Sequence, residues 1–337
     1  MERAIVFDVG GTHLRSGALL ADGTVGHVEK RRLKSHVDGY EPGVIWADLV
    51  EAIVAIVREK TPAAPRPAPL VIAFPGPVAA GGRVLSAPSL TGREGCPHEL
   101  GAELGRRIGR SVHLLNDVSA AAWYIGTQTG AGRFVVVTVS SGIGSKIYDR
   151  SRSPAVMGDA PYAGEIGHLV VDDAADAPTC DCGARGHLSA VASGRGIERA
   201  ARRVALSDPE AFGNSLCARE LGATPERLTN EEHLVPAAVQ TDAWALGVVR
   251  SCTIPLARAL CTLLLGAGLD EVAVIGGFAQ GLGQPYVRIL GEEFARIATY
   301  ETLGERPASR IWLAKAGEET CLLGAAEYAA RMLGAGK

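Results

Sequence analysis

Short blocks of alternating or clustered apolar residues, separated by glycine, proline and charge, run the length of the chain. Three blocks with strand periodicity come first, at Ala4–Asp8, His13–Leu20 and Thr24–Leu33, with Asp22-Gly23 as the turn signal between the last two. The period then changes. Trp46, Leu49, Val50, Ile53, Val54 and Val57 recur at three and four, which puts them on one face of a helix near Val44–Glu59. Thr61–Pro69 carries four prolines and reads as a stiff connection. A strand (Leu70–Phe74), a helix near Pro97–Ile108, a strand (Val112–Leu115) and a helix from about Val118 follow.

The second half restarts this pattern. Arg133–Asp149 is again strand, Gly-rich turn, strand. Thr229 stands three residues before Glu232, a capping-box start for a helix. The apolar tract Ile254–Leu269 is interrupted by Arg258 and too short to span a bilayer, so it reads as a buried helix. It feeds a buried strand that ends at Gly276-Gly277; a strand at Arg310–Ala314 and a helix at about Glu319–Leu333 come last. Strands alternating with helices, and a hairpin with glycines in each half, point to two similar α/β halves.

Composition narrows the function classes. The 337 residues exceed what a single core normally holds, so two domains are expected. A net charge of −3 and 5% aromatic residues give no support to a nucleic-acid surface. No basic leader with an apolar segment precedes the first strand, and seven mostly scattered cysteines fit a reducing compartment. A cytoplasmic protein without nucleic-acid or membrane partners is therefore expected.

Two stretches share a design. Asp8-Val9-Gly10-Gly11-Thr12 and Ser140-Ser141-Gly142-Ile143-Gly144 are each a glycine and hydroxyl tip between apolar strands. Glycines let backbone N–H groups approach an anion, and hydroxyls add donors. Asp8 would repel phosphates unless a cation lay between, which makes it an Mg²⁺ partner, through water. The plainer reading is that each tip is only a turn. Gly276-Gly277 would admit a flat adenine or ribose against the backbone. Asn116-Asp117 stands where a strand gives way to an Ala-rich helix, a place where an aspartate commonly caps the helix. His168, Cys180, Cys182 and His187 form a clustered set of zinc-type ligands with no position left open, hence a structural site; the alternative is free thiols and surface histidines.

The two tips and the strand-Gly-Gly resemble the phosphate-1, phosphate-2 and adenosine elements of the actin/Hsp70/sugar-kinase superfamily. Within it the chain resembles the ROK family (repressor, open reading frame, kinase), through "DVGGTHLRSGAL", "AFPGPV", "LLNDVSAAA", "SSGIGSKI", "GEIGHLVVD", "CDCGARGHLSAVASG", "VIGGFAQ" and "GEETCLLGAA". The resemblance implies two actin-like (ribonuclease H-like) α/β domains with a cleft between them. We expect residues 1–116 plus 318–337 in the first and 117–317 in the second. It implies ATP-dependent phosphorylation of an alcohol, with ATP, Mg²⁺ and structural Zn²⁺, and a homodimer. Asp8, Gly10, Gly11, Thr12, Ser140, Ser141, Gly142, Gly144, Gly276 and Gly277 would then hold Mg·ATP. Asp117 becomes the general base rather than a cap, and Asn116 an acceptor contact. His168 would offer one ring nitrogen to the metal and the other to an acceptor hydroxyl.

The chain also departs from the family. His187 stands where a third cysteine is expected, giving a Cys₂His₂ set. Of the acceptor pocket it keeps Gly76, Asn116, Asp117, Glu165 and His168, but Ser89 replaces an asparagine and Ser189 a glutamate that reaches the anomeric end of a sugar. An acceptor lacking the usual anomeric group fits that loss, such as a seven-carbon cyclitol phosphorylated on its exocyclic primary hydroxyl; some members of the family are cyclitol kinases. An ordinary hexokinase for glucose or an N-acetylhexosamine is the alternative acceptor reading, and a non-catalytic sugar-sensing regulator the alternative of another class. DNA-binding members carry a helix-turn-helix before the first phosphate loop, and here that loop begins at Asp8.

Overall fold

Five strands form the first sheet, in the order β3-β2-β1-β4-β7: β1 (Glu2–Val9), β2 (His13–Leu20), β3 (Val25–Arg32), β4 (Leu70–Phe74) and β7 (Val112–Asn116). The first three are antiparallel neighbours, whereas β4 runs parallel to β1 and β7 parallel to β4. A computed structural model describes residues 2–60, 68–158, 160–298 and 307–332. The expected proline-stiffened connection at Thr61–Pro69 lies largely outside them.

The period of two decides which side each residue serves. Ile5, Phe7 and Val9 pack with Leu70, Ile72 and Phe74 against α1 (Pro42–Lys60) and α3 (Leu100–Ile108). Ala4, Val6 and Val71 face the other way, against Leu322, Ala325 and Ala326 of α13 (Thr320–Met332). Both faces of β4 are covered, which explains its unbroken apolar run Leu70–Phe74. Asp8 continues the Ala4, Val6 series, so it faces the α13 side.

The second sheet has the order β11-β10-β8-β9, from β8 (Arg133–Val139), β9 (Ile143–Asp149), β10 (Glu271–Ile275) and β11 (Ile311–Leu313). Its opening hairpin is antiparallel, and β10 runs parallel to both β8 and β11. One face carries a large core in which Val135, Val137 and Val139 meet α6 (Gly194–Ser207), α10 (Ala243–Ala267) and α12 (Gln284–Ile297). By length and composition α10 could cross a membrane, but Val248, Val249, Leu256, Ala257 and Leu260 are buried in this core.

The chain divides into two units: residues 1–129, 152–163 and 317–337, and residues 130–151 and 164–316. Residues on both sides of the expected boundary at 116/117 lie in the first, because α4 (Asp117–Ile125) packs on α13.

Three expectations shift. The helix expected from Pro97 begins only at Leu100, since His98 exchanges backbone hydrogen bonds with Val84 and is held extended. The long apolar helix starts earlier than Ile254, at Ala243, where the Asp242 side chain accepts from the Ala245 N–H. Thr229 Oγ1 does accept from the Glu232 N–H, at 3.3 Å, but the Thr229 N–H donates to His233 Nδ1 at 3.2 Å, not to the Glu232 side chain. The turn it opens, Asn230–Leu234, is a π-helix.

Candidate active site and metal cluster

Within the first unit, the β1–β2 hairpin is closed by the Gly10 N–H donating to the His13 carbonyl at 2.7 Å. The Gly10 amide thus serves the turn itself. Gly11 has a different requirement: a Cβ there would stand 2.5 Å from the Ser89 carbonyl oxygen, so only glycine lets Ser89 pack on this tip. Thr12 Oγ1 lies 2.9 Å from His13 Nδ1. Asp8 is 7% exposed. Burial lifts its carboxyl from 3.8 to about 6, against the opposing pull of Arg15, whose Nη1 is 3.3 Å away. A sheltered carboxylate beside the glycine tip is a group that a hydrated Mg²⁺ could bind.

The same unit carries Asn116 and Asp117. Asn116, not Asp117, is the N-cap of α4: its Oδ1 accepts from the Val118 and Ser119 N–H groups at 3.0 and 3.2 Å. Its Nδ2 donates to the Gly76 carbonyl and to Asp117 Oδ1, both at 3.0 Å. Those four bonds use both donors and both lone pairs of the amide. Asn116 therefore ties the Gly76 loop to the aspartate. Asp117 begins the helix, with Oδ1 also accepting from the Val118 N–H at 2.8 Å. Behind it, the Cys321 thiol donates to the Asp117 carbonyl at 3.5 Å, and burial next to Asp8 and Asp117 pushes that thiol well up.

In the second unit the β8–β9 tip is closed by the Ser140 N–H donating to the Gly142 carbonyl at 3.0 Å, and the Ser140 carbonyl accepts from the Gly194 N–H at 2.8 Å. Ser141 is exposed and Gly144 half-buried. Gly276 has φ of 103°, and a Cβ there would meet the Val139 backbone at 2.5 Å. This close approach sets the end of β10 and the start of α11 (Gly277–Leu282), with Gly277 as its first residue, beside the tip.

The cysteine and histidine set comes together as expected. The Gly183 N–H donates to the Cys180 carbonyl and the Cys180 N–H to the Ala184 carbonyl, a tight turn that folds Cys182 back beside Cys180. Backbone bonds from Leu188 to Leu169 and from Val171 to Gly186 bring His187 alongside His168. One ligand atom from each of His168, Cys180, Cys182 and His187 lies within 4.8 Å of all the others. His187 Nδ1 is 3.2 Å from His168 Nδ1 and 3.3 Å from Cys182 Sγ. Two nitrogens and two sulfurs converging on one point fit a tetrahedral zinc ion, so the histidine at 187 reaches. His168 keeps Nδ1 on the cluster and turns Nε2 toward Glu165 Oε2, 4.0 Å away.

Ser189 bonds the backbone of the second unit's hairpin. Its Oγ accepts from the Ile143 N–H at 3.1 Å, under the second hairpin. His187 is the N-cap residue of α5 (Leu188–Ala192), so the cluster, Ser189 and the second tip form one continuous piece. Sequence reasoning also passed over Arg15 and Glu318, 2.8 Å apart, although both lie inside quoted motifs. The hairpin register, which sets Asp8 opposite Arg15, was the signal that could have found the first.

Comparison with known proteins adds to this geometry. The chain is 36% identical over 337 residues to a C(7)-cyclitol 7-kinase of Streptomyces hygroscopicus subsp. jinggangensis, spanning 98% of this chain and 95% of that protein. It is 32% identical over 316 residues to a 2-epi-5-epi-valiolone 7-kinase of an Actinoplanes species, spanning 90% and 85%. Among solved structures it resembles a ROK family glucokinase from Streptomyces griseus in complex with glucose and AMPPNP, at 25% identity and a TM-score of 0.69, over 96% of this chain and 98% of that one. The fold is the pair of actin-like α/β domains of the ROK sugar kinases. Residues 4–332 match the ROK family, and the chain belongs to it.

Proposed function

We propose that this chain is a Mg·ATP-dependent kinase that phosphorylates the exocyclic primary hydroxyl of a seven-carbon cyclitol. The observation that carries the phosphotransferase reading is the setting of Asp117. Capping of α4 falls chiefly to Asn116, which at the same time orients the aspartate. In the reaction the acceptor hydroxyl gives its proton to Asp117 as its oxygen bonds to the γ-phosphorus. The bond from that phosphorus to the bridging oxygen breaks, and ADP leaves with the electron pair. Base catalysis of this kind contributes about 10²–10⁴-fold. Positioning and charge neutralisation supply the remainder.

Gly11 and Thr12 on one tip, and Ser141, Gly142 and Gly144 on the other, offer the phosphate donors; Gly276 and Gly277 take the adenosine. Bound Mg²⁺, held at Asp8 through water, would neutralise phosphate charge. Zinc on His168, Cys180, Cys182 and His187 would fix the loop that carries Glu165 and Ser189. We extend the reading to a cytoplasmic homodimer, which light scattering would test.

The acceptor reading draws on the relatives that carry cyclitol-kinase names and on Ser189. With a short hydroxyl bonded to the Ile143 N–H, no acid stands at that position to meet an anomeric oxygen. A phosphoryl-transfer screen across hexoses, N-acetylhexosamines and valiolone-type C7 cyclitols tests it. The cyclitols should give the highest kcat/KM. A preference for glucose or an N-acetylhexosamine would overturn the acceptor and leave the kinase. Mg·ATP binding without transfer to any of them would point to a regulator.

A further inference from the structure

The first hairpin carries a cation that its phosphate-loop role does not use. Register sets Asp8 opposite Arg15 on β2, and Arg15 opposite Lys30 on β3, so the three form a row across the sheet. Arg15 Nη1 is 3.3 Å from Asp8 Oδ2, and its Nη2 is 2.8 Å from Glu318 Oε2. Lys30 Nζ holds that same Glu318 oxygen at 3.0 Å. The Arg15 side chain is 16% exposed, whereas that of Glu318 is 70% exposed. One edge of a sheltered guanidinium thus rests on the carboxylate assigned to Mg²⁺. The other edge is leashed to an acid that Lys30 anchors.

A structural ion pair explains this arrangement poorly. An arginine fixed on Asp8 competes with the cation that carboxylate is to hold. The geometry is better suited to a handover: with Asp8 serving a bound cation, the Nη1 edge would be free to turn to another anion while Glu318 keeps the group in place. The anion at hand is the polyphosphate, because the glycine tip begins two residues after Asp8. Guanidinium matches phosphate oxygens with paired donors in a way that an ammonium does not.

We propose that Arg15 binds the terminal phosphates of ATP during transfer, and that Glu318 is the residue that positions it. The inference rests on the kinase reading. As the phosphoryl group moves from ADP to the acceptor oxygen, negative charge spreads over its equatorial oxygens, and a fixed cation there lowers the barrier.

Full-length Arg15→Met, Arg15→Lys and Glu318→Gln variants test this by calorimetric titration with Mg·ATP and with Mg·ADP, and by kcat and KM. Arg15→Met should lose about 10²–10³-fold in kcat, the scale of one lost electrostatic donor, with acceptor KM unchanged. Its affinity should fall at least about tenfold more for Mg·ATP than for Mg·ADP, since only ATP carries the γ-phosphate. Arg15→Lys should recover part of both losses. Glu318→Gln should show a smaller loss with the same ATP-over-ADP bias. Wild-type ATP/ADP ratios in Arg15→Met with kcat within about threefold of wild type would overturn the proposal. So would tighter Mg²⁺ binding with no loss of turnover, which would make Arg15 only a counter-ion for Asp8. If Arg15→Met does not fold, Arg15→Lys and Glu318→Gln decide by the same ratio. A wild-type protein that binds neither nucleotide would instead remove the kinase reading itself.

Discussion

At the tip of the first unit's hairpin, Asp8 lies opposite Arg15; at the corresponding rung of the second, Thr138 lies opposite Gly144. The rungs correspond because each is one step in from the last pair, Val9 with Leu14 and Val139 with Ile143. Both hairpins pass on to a parallel neighbour, β4 in one unit and β10 in the other. One backbone device is therefore used twice, with fixed charge in one copy and small neutral groups in the other. On the proposed reading the first tip would take a divalent cation and the charge that moves with the γ-phosphate. The second, braced from below by Ser189, would on the same reading offer neutral amide and hydroxyl donors to the phosphates.

The largest effect expected lies beside the charged tip. Asp117→Asn should lower kcat by about 10²–10⁴-fold and leave Mg·ATP affinity near wild type, as nucleotide titration would show. Equal losses in both would make Asp117 structural. The comparison itself is tested by paired variants: Asp8→Asn should cost about 10²-fold in kcat/KM for Mg·ATP, and Thr138→Val less than about threefold. Similar losses from the two would erase the asymmetry.

Zinc on the four proposed ligands would bear on the neutral tip. Metal analysis should find about one zinc per chain, and Cys182→Ser should remove it at a cost of about 2 kcal/mol or more. Weaker Mg·ATP binding should accompany the loss, because His187 leads directly into the helix that carries Ser189. Ser189→Ala, which leaves the Ile143 N–H without that partner, should cost about 1 kcal/mol, or about fivefold in KM for ATP. The smallest effect is at Glu318, whose carboxyl is held at about 2 rather than 4.5 by hydrogen bonds from Arg15 and Lys30. Because the folded value is the lower one, its stabilisation is full above 4.5 and fades as pH falls toward 2. The small deficit in melting temperature of Glu318→Gln should close over that same window.

Much of this was legible in the residues. The period of two gave the opening strands, the glycine and hydroxyl tips stood out as hairpin ends, and the zinc-type set was recognisable from ligand chemistry alone. What escaped depended on side-chain direction. Asn116 and Asp117 are adjacent, and only the helix geometry shows that the first is the N-cap residue. The bond from the Ile143 N–H to Ser189, 46 residues away, could not be read from the residues. Glu318 is 303 residues from Arg15, a pairing that periodicity cannot reach. His98 sits where a helix start was expected, but a backbone bridge to Val84 outweighs local propensity.

The α13 helix closes a sheet face whose strands are laid down at the other end of the chain. During synthesis, Ala4, Val6 and Val71 must wait uncovered while every residue of the second unit emerges. The later unit is thus able to mature before the earlier one, and a nascent chain halted ahead of residue 317 would present a bare apolar surface to chaperones.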